Sequence, residues 1–325
     1  MRWGIVGCGT IAQQFARDLL KVDGARLHGV ASRSAGKATA FAAEFKAARA
    51  YGAYEDLYAD PSIDLVYVAT PHSEHLRNSS DALRAGKHVL CEKPLVTTPA
   101  DARSLIAIHA ATDRYLMEAM WTWFLPAVQT ALRWVETGRI GELRHLKADF
   151  GYPQRYDPQS RVYNPDLAGG ALLEMGVYPV ALSWLLAKQT PVDIQVVSRV
   201  AENGVVDDLS ILLDYSTHVA TLGASFRAKL QNWAYVIGTE GYIAIPDYWR
   251  AKEAHLFVLD RCVDVFVDDR PVDGFAYEIE SVMQDILRSD RESQVCSLAD
   301  SLAVQELMLD ITQASASSGA NRVRR

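Results

Sequence analysis

Two short stretches of this chain hold residue types suited to phosphates and protons. The first is Gly7-Cys8-Gly9-Thr10-Ile11-Ala12. Gly7 permits a tight turn, Gly9 removes a Cβ that would block a pyrophosphate, and Ala12 lets a following helix lie close on a strand. A helix starting there presents free N–H groups and a partial positive charge, with Thr10 and Ile11 as first-turn contacts. A glycine-rich turn without a ligand uses the same letters. What distinguishes this one is its place, directly after the first apolar run and ahead of regular strand–helix units. The second stretch is Glu92-Lys93-Pro94, at the end of another apolar run. Ligands of an open α/β sheet sit beyond the carboxyl ends of its strands, so an ammonium at that point is placed to act on one. Read alone, Glu92-Lys93 is better read as a surface ion pair.

The strand after the fingerprint bears on the choice of dinucleotide. A site for NAD places Asp or Glu about 20 residues on, to bond the ribose 2′-OH. Here the segment reads Val30-Ala31-Ser32-Arg33-Ser34, with no carboxylate. Ser32 can donate to a 2′-phosphate, Arg33 can pair with it and stack on adenine, and Lys37 adds charge one turn later. The pattern predicts NADP(H). Its competitor is an Arg33 that is only a solvated surface arginine.

The elements that must position these residues follow from periodicity. Arg2–Gly7, Ala25–Ala31, Asp64–Ala69 and His88–Cys91 read as buried strands, alternating with helices in the manner of a parallel sheet. Ala38, Phe41, Ala42 and Phe45 line one helical face, and Leu76 to Ala85 forms a helix stopped by Gly86. Thr98-Pro99-Ala100-Asp101 opens another, with Thr98 as cap. After Glu118 the grammar changes. A helix from about Pro126 to Thr137 ends at Gly138, and period-two alternation follows at Val192, Ile194, Val196, Ser198, Val200 and at Leu209, Ile211, Leu213, Tyr215. Two closing helices carry Val282, Met283, Ile286 and Val304, Leu307, Met308, Ile311, and the last ten or so residues are expected to fray. The predicted class is α/β, with an N-terminal Rossmann domain (1–120) built on a parallel sheet. Residues 121–325 are expected to form a C-terminal α+β domain for substrate binding and oligomerisation, with a large open, mainly antiparallel sheet. The open face predicts a homodimer or higher homo-oligomer.

Composition narrows the class further. With 325 residues, two domains are natural. A net charge of −7 lacks the basic face that nucleic acid requires. No apolar run reaches the roughly 18 residues of a membrane span, and Met1-Arg2-Trp3-Gly4 runs directly into structure without a leader. Cys8, Cys91, Cys262 and Cys296 show no metal or redox spacing. Cytoplasmic location, a small-molecule substrate, and neither nucleic-acid nor membrane partners are the expectations. No metal is expected either, since nothing completes a site around His72-x-x-His75.

In order along the chain, Gly7–Ala12, Thr70-Pro71-x-x-x-His75, Ala85-Gly86-Lys87-His88-Val89 and Cys91-Glu92-Lys93-Pro94-Leu95 resemble the glucose–fructose oxidoreductase / inositol dehydrogenase / MocA family. The likeness continues through Met117–Thr122, Gly169–Tyr178 and Gly238-Thr239-Glu240-Gly241. Trp121-Thr122 and Tyr178 are most similar to the branch of dimeric trans-dihydrodiol dehydrogenases and NADP-dependent D-xylose dehydrogenases. The resemblance implies an NADP-dependent dehydrogenase or reductase acting on CH–OH groups. It implies that Lys93 holds the reacting oxygen, that Tyr178 moves the proton, and that Thr70, Pro71, His75 and Glu92 join Lys93 along the cofactor. An isolated tyrosine, with a pKa of about 10, is a poor base near neutrality, and a nearby ammonium lowers that value. Without the resemblance, Tyr178 is as well read as a helix tyrosine with a wet hydroxyl.

Two positions depart from the family pattern. Glu174 stands four residues before Tyr178 where relatives carry Asp, and Trp123 stands where many carry Arg. Trp121, Trp249 and Phe275 are candidates for an aromatic wall against a sugar or diol ring, and Arg161 and Glu174 for hydrogen bonds to it; core packing and a solvated loop are the competing readings. Three functions compete: NADP-dependent oxidation of an aldose or trans-dihydrodiol, reduction of a sugar carbonyl such as 1,5-anhydrofructose, and a non-catalytic dinucleotide-binding regulator. Retention of both Lys93 and Tyr178 tells against the third.

Overall fold

The computed structural model describes residues 1–322. In chain order its first elements are β1 (Arg2–Val6), α1 (Thr10–Leu19), β2 (Arg26–Ala31), α2 (Ala35–Phe45), β3 (Arg49–Tyr51), α3 (Tyr54–Ala59) and β4 (Leu65–Val68). Then come α4 (His75–Arg84), β5 (His88–Glu92), α5 (Pro99–Ala110), β6 (Leu116–Ala119), α6 (Pro126–Glu136) and β7 (Leu143–Gly151). The second half contains α7 (Val177–Ala187), β8 (Asp193–Val200), β9 (Val206–Asp214), β10 (Val219–Ser225), β11 (Ala234–Gly238) and β12 (Tyr242–Ile245). It closes with β13 (Glu253–Val258), β14 (Arg261–Val267), α8 (Phe275–Leu287) and α9 (Leu298–Arg322). The chain divides into two compact units, one of Met1–Trp121 with Pro271–Leu302, the other of Thr122–Arg270 with the described residues from Ala303 onward.

In the first unit six strands form a wholly parallel sheet in the order β3-β2-β1-β4-β5-β6. The strands read as continuous apolar runs because both faces are covered. Val6, Val66, Val68, Val89, Leu105 and Leu116 meet in one buried cluster. The expected stops and caps are present: Gly86 adopts φ +77° after α4, and the Thr98 hydroxyl accepts the Asp101 N–H at 3.1 Å with Pro99 in the first turn of α5. The sequence pattern gave no sign of β3 or β6. It also assigned everything after residue 120 to the second domain, whereas Pro271–Leu302 packs in the first unit. A buried carboxylate explains this return. Asp18 on α1 accepts the N–H groups of Asp273 (2.9 Å), Gly274 (2.9 Å) and Ala276 (3.3 Å), capping the start of α8. Phe275 then packs edge-on against Phe15 and stacks on Trp121.

The second unit is built on an eight-stranded sheet, β14-β13-β12-β11-β7-β10-β9-β8. It is antiparallel except for the β7–β10 pair. Helices α6 and α7 pack against it. On β9, Leu209, Ile211 and Leu213 are buried as their alternation predicted. On β8 only Val196 is buried; Val200 at its end and Val192 just before it are 55% and 68% exposed, because β8 is an edge strand and little covers its ends. One stretch, Pro165–Ala187, is long and apolar enough by composition to cross a membrane, contrary to the sequence expectation; 67% of its most apolar window is buried inside the protein, as in a core helix. The expected fraying of the C-terminal tail falls partly outside the described residues, α9 being described as far as Arg322.

Candidate active site

At the end of β1 the backbone turns through Gly7 at φ +95°. A Cβ there would stand 2.5 Å from the Ala69 carbonyl oxygen, so only glycine fits. Gly9 caps α1 and faces open space where its Cβ would be. No side chain caps α1 and no acid occupies its first turn, so the charge of the helix end is not already neutralised. These are the features a pyrophosphate needs. Cys8 between the glycines is half-buried, and burial pushes its thiol up to about 11 against the opposing pull of the Lys37 ammonium.

Beyond β2, Ser32 is buried and its hydroxyl accepts the Ser34 N–H at 3.2 Å. Arg33 and Lys37 are exposed. Tyr54, at the start of α3, is a neighbour the sequence reading missed. Burial raises its phenol pKa, and the charge and a hydrogen bond of Arg33 oppose that rise. Nothing in the local sequence marked Tyr54; only the fold carries it to the end of β2.

The turns after β4 and β5 are tied together. His75 begins α4, with Nδ1 2.8 Å from the Pro94 carbonyl oxygen and Nε2 3.0 Å from that of Thr70. The Asn78 amide donates to the Thr70 hydroxyl at 3.1 Å and accepts from the Tyr58 hydroxyl at 3.3 Å. Glu92 accepts the Tyr67 hydroxyl and, at 3.1 Å, the Lys93 N–H. Lys93 is only 8% exposed and precedes a cis Lys93–Pro94 bond. The Leu95 N–H donates to Glu118 on β6 at 2.8 Å. Glu118 is fully buried; desolvation, with help from the Glu92 charge, pushes its carboxyl up to about 7 against bonds from Ser301 and Leu95 and the charge of Lys93. The sequence reading missed Glu118 as well, since a glutamate in a short strand gives no signal of its burial.

In the second unit, Leu172–Gly176 forms a π-helical turn leading into α7. Pro179 lacks the N–H that would bond the carbonyl four residues back, which accounts for the widened turn. Tyr178 follows directly and is largely buried, its ring edge-on to Phe150 at 5.2 Å and 6.2 Å from Trp249. Trp249 packs on Phe150 at 4.8 Å and lies under the Arg250 guanidinium at 4.9 Å. Arg161 and Glu174, each expected to meet substrate, grip one another in a two-bonded ion pair at 2.7 and 2.6 Å. The extra methylene of Glu174 over the aspartate of the family pattern lengthens its reach. The expected aromatic wall is divided: Phe275 is sealed in the Phe15–Trp121 stack of the first unit, and Trp249 belongs to the Tyr178 cluster. Trp123 is buried, with the Lys188 ammonium 5.3 Å from its ring. Among the described residues no group of three His, Cys, Asp or Glu side chains could hold a metal ion.

Comparison with known proteins bears on this geometry. Residues 1–120 match the model of an oxidoreductase family with an NAD-binding Rossmann fold, and residues 128–244 match the GFO/IDH/MocA C-terminal domain. The chain is 35% identical to the mouse (Mus musculus) trans-1,2-dihydrobenzene-1,2-diol dehydrogenase, over 97% of its own length and 96% of that protein. The chain belongs to the GFO/IDH/MocA oxidoreductase family. Its human (Homo sapiens) relative of the same name is 33% identical, over 97% and 96% of the two chains. Among solved structures of similar fold, a 3-ketoreductase from Actinomadura kijaniata in complex with NADP and TDP-benzene gives a TM-score of 0.83 at 28% identity, covering 97% of each chain. The aldose-aldose oxidoreductase of Caulobacter crescentus, complexed with glycerol, has the same fold at a TM-score of 0.89 and 23% identity, covering 98% of each chain. As a GFO/IDH/MocA member this protein is an oxidoreductase with an NAD(P)-binding Rossmann domain.

Proposed function

We propose that this oxidoreductase uses NADP(H) and interconverts a ring hydroxyl and the corresponding carbonyl of a sugar, such as an aldose, or of a trans-dihydrodiol. The observation that carries the reading is the end of β2. There Ser32, Arg33 and Lys37 stand with no carboxylate, Ser32 buried and the two cations exposed. Two cations and a hydroxyl suit a 2′-phosphate, where an NAD site would use an acid. The dihydrodiol dehydrogenase relatives and the NADP-bound ketoreductase support the same class of reaction.

Bound nicotinamide supplies the hydride donor or acceptor. The protein's own residues do the rest. Gly7, Gly9, Thr10 and Ile11 receive the pyrophosphate, and Ser32, Arg33 and Lys37 read the 2′-phosphate. Thr70, Pro71, His75 and Glu92 support the nicotinamide end. Lys93 hydrogen-bonds the reacting oxygen and stabilises negative charge on it. Tyr178 takes the hydroxyl proton in oxidation and returns it in reduction. Trp249 supplies a ring surface for the substrate, and the Arg161–Glu174 pair acts on it as one unit. The apolar side chains on the uncovered face of the large sheet, such as Val197 (47% exposed) and Val265 (48%), suit a homodimer.

Titration with NADPH and NADH tests the cofactor, and NADP⁺ reduction across D-xylose, other aldoses and a trans-dihydrodiol tests the substrate. Tight NADPH binding with turnover on either class is the expected result. Preference for NADH overturns the cofactor assignment. NADPH binding without turnover on any substrate, in either direction, favours a non-catalytic regulator.

A further inference from the structure

The Thr70–Pro71 and Lys93–Pro94 turns leave the adjacent parallel strands β4 and β5, and one side chain bridges them. His75 is fully buried, its Nδ1 2.8 Å from the Pro94 carbonyl oxygen and its Nε2 3.0 Å from the Thr70 carbonyl oxygen. A carbonyl oxygen only accepts hydrogen bonds, and a neutral imidazole carries one N–H. The neutral ring would satisfy one contact and aim a lone pair at the oxygen of the other. Two acceptors, one on each nitrogen, call for a proton on both. Burial opposes the charge, and two charge-assisted hydrogen bonds offset that cost. Charged and titratable groups near the ring come from the segments packed about it, including Tyr58 on α3, which donates to Asn78. The short 3-10 turn before α4 brings His72, 5.5 Å away edge-on, and Glu74. On α4 itself stands the neutral Asn78. In the β5 turn, Glu92 and Lys93 immediately precede Pro94.

We infer that His75 is held as an imidazolium that clamps the Thr70–Pro71 turn to the Lys93–Pro94 turn, making it a positioning residue for Lys93. This rests on the reading of those two turns as cofactor-binding and oxygen-binding segments. It assigns His75 a different task from a direct cofactor contact. With both nitrogens committed to backbone, the ring fixes where two functional turns stand relative to each other. Glutamine or asparagine cannot replace it, because their donors lie on one nitrogen only.

The test uses the full-length protein labelled with ¹⁵N-histidine, observing one-bond N–H correlations between pH 6 and 8. His75 is expected to give two correlations, both still present at pH 8, where a solvated histidine with a pKa of about 6.5 is neutral. His75→Gln identifies the pair by its disappearance. If that variant does not fold, the pair is identified in the wild type by its slow solvent exchange. A single N–H on His75 at pH 7 overturns the inference. In His75→Gln, kcat is expected to fall about a hundredfold, the cost of roughly 1 Å misplacement of a catalytic group, while NADPH affinity changes far less. Wild-type kcat in that variant overturns the positioning role. Lys93→Met that retains full turnover tells instead against the reading of the site, and the N–H pair of His75 is observed independently of it.

Discussion

Replacing Glu278 by glutamine is expected to make the protein progressively more stable than the wild type as pH rises. Glu278 lies on α8, fully buried, with no hydrogen-bond partner for either carboxyl oxygen. Burial, reinforced by the charges of Glu92 and Asp18, pushes its pKa well above the usual carboxyl value. The folded protein therefore keeps a proton that the unfolded chain releases above about pH 4.3. A raised folded pKa gives stability that is full below the unfolded pKa and lost as pH rises towards the folded one. The loss amounts to about 1.4 kcal/mol per pH unit. Glutamine does not titrate, so the stability difference between variant and wild type grows at that rate, or about 2 °C in Tm per pH unit for a chain of this length. Glu278→Met should also remove the unpaired polar burial, worth about 1–3 kcal/mol at any pH. Calorimetric melting at pH 5, 6 and 7 reads both effects. Parallel Tm–pH curves for wild type and Glu278→Gln, or a Glu278→Met protein less stable than wild type at pH 7, would refute the reasoning.

Tyr178→Phe should lower kcat by about 10²–10⁴, the usual worth of a general acid–base; NADPH affinity measured by fluorescence titration should stay within a few-fold. Arg33→Ala should weaken NADPH by about 10–100-fold, the loss of a charge-assisted bond, and leave NADH nearly unchanged. Equal losses for the two would show that Arg33 does not read the 2′-phosphate. Asp18→Ala strips the acceptor from three backbone N–H groups at the start of α8 and should cost at least about 2 kcal/mol, seen as a Tm lower by about 3 °C or more. A Tm unchanged by that substitution would mean that α8 is held by its apolar contacts alone.

Much of the first unit was legible because its strands are apolar on both faces and its caps are local. The Gly7–Ala12 fingerprint, the Thr98 cap and the Gly86 stop each depend on residues within one turn of one another. β3 escaped because Arg49–Tyr51 is three residues long with only its last half-buried, and β6 because Glu118 interrupts its apolar run. On β8 the alternation was real, but an edge strand does not bury what its pattern offers. The return of α8 was invisible for another reason. Its signal is a carboxylate at position 18 meeting amides near position 275, and no window of sequence contains both. Tyr54, Glu118 and Glu278 matter through neighbours brought by the fold, whereas Lys93 and Tyr178 stood out through motifs that travel with the family. The pairing of Arg161 with Glu174 lay between: both residues were picked out, but their attachment to each other was not.

The delayed contribution of α8 also bears on how the protein is made. A ribosome finishes β6 long before it reaches Pro271, so the first unit has all six strands while α8 is still missing. Until α8 arrives, Phe15 and Trp121 lack the Phe275 ring, and the Asp18 carboxylate lacks the amides at the start of α8. At typical elongation rates the wait lasts on the order of ten to forty seconds. A nascent chain stalled after residue 121 would carry apolar rings that α8 later covers, a natural target for chaperones. A fragment cut at the family-domain boundary would keep that condition permanently.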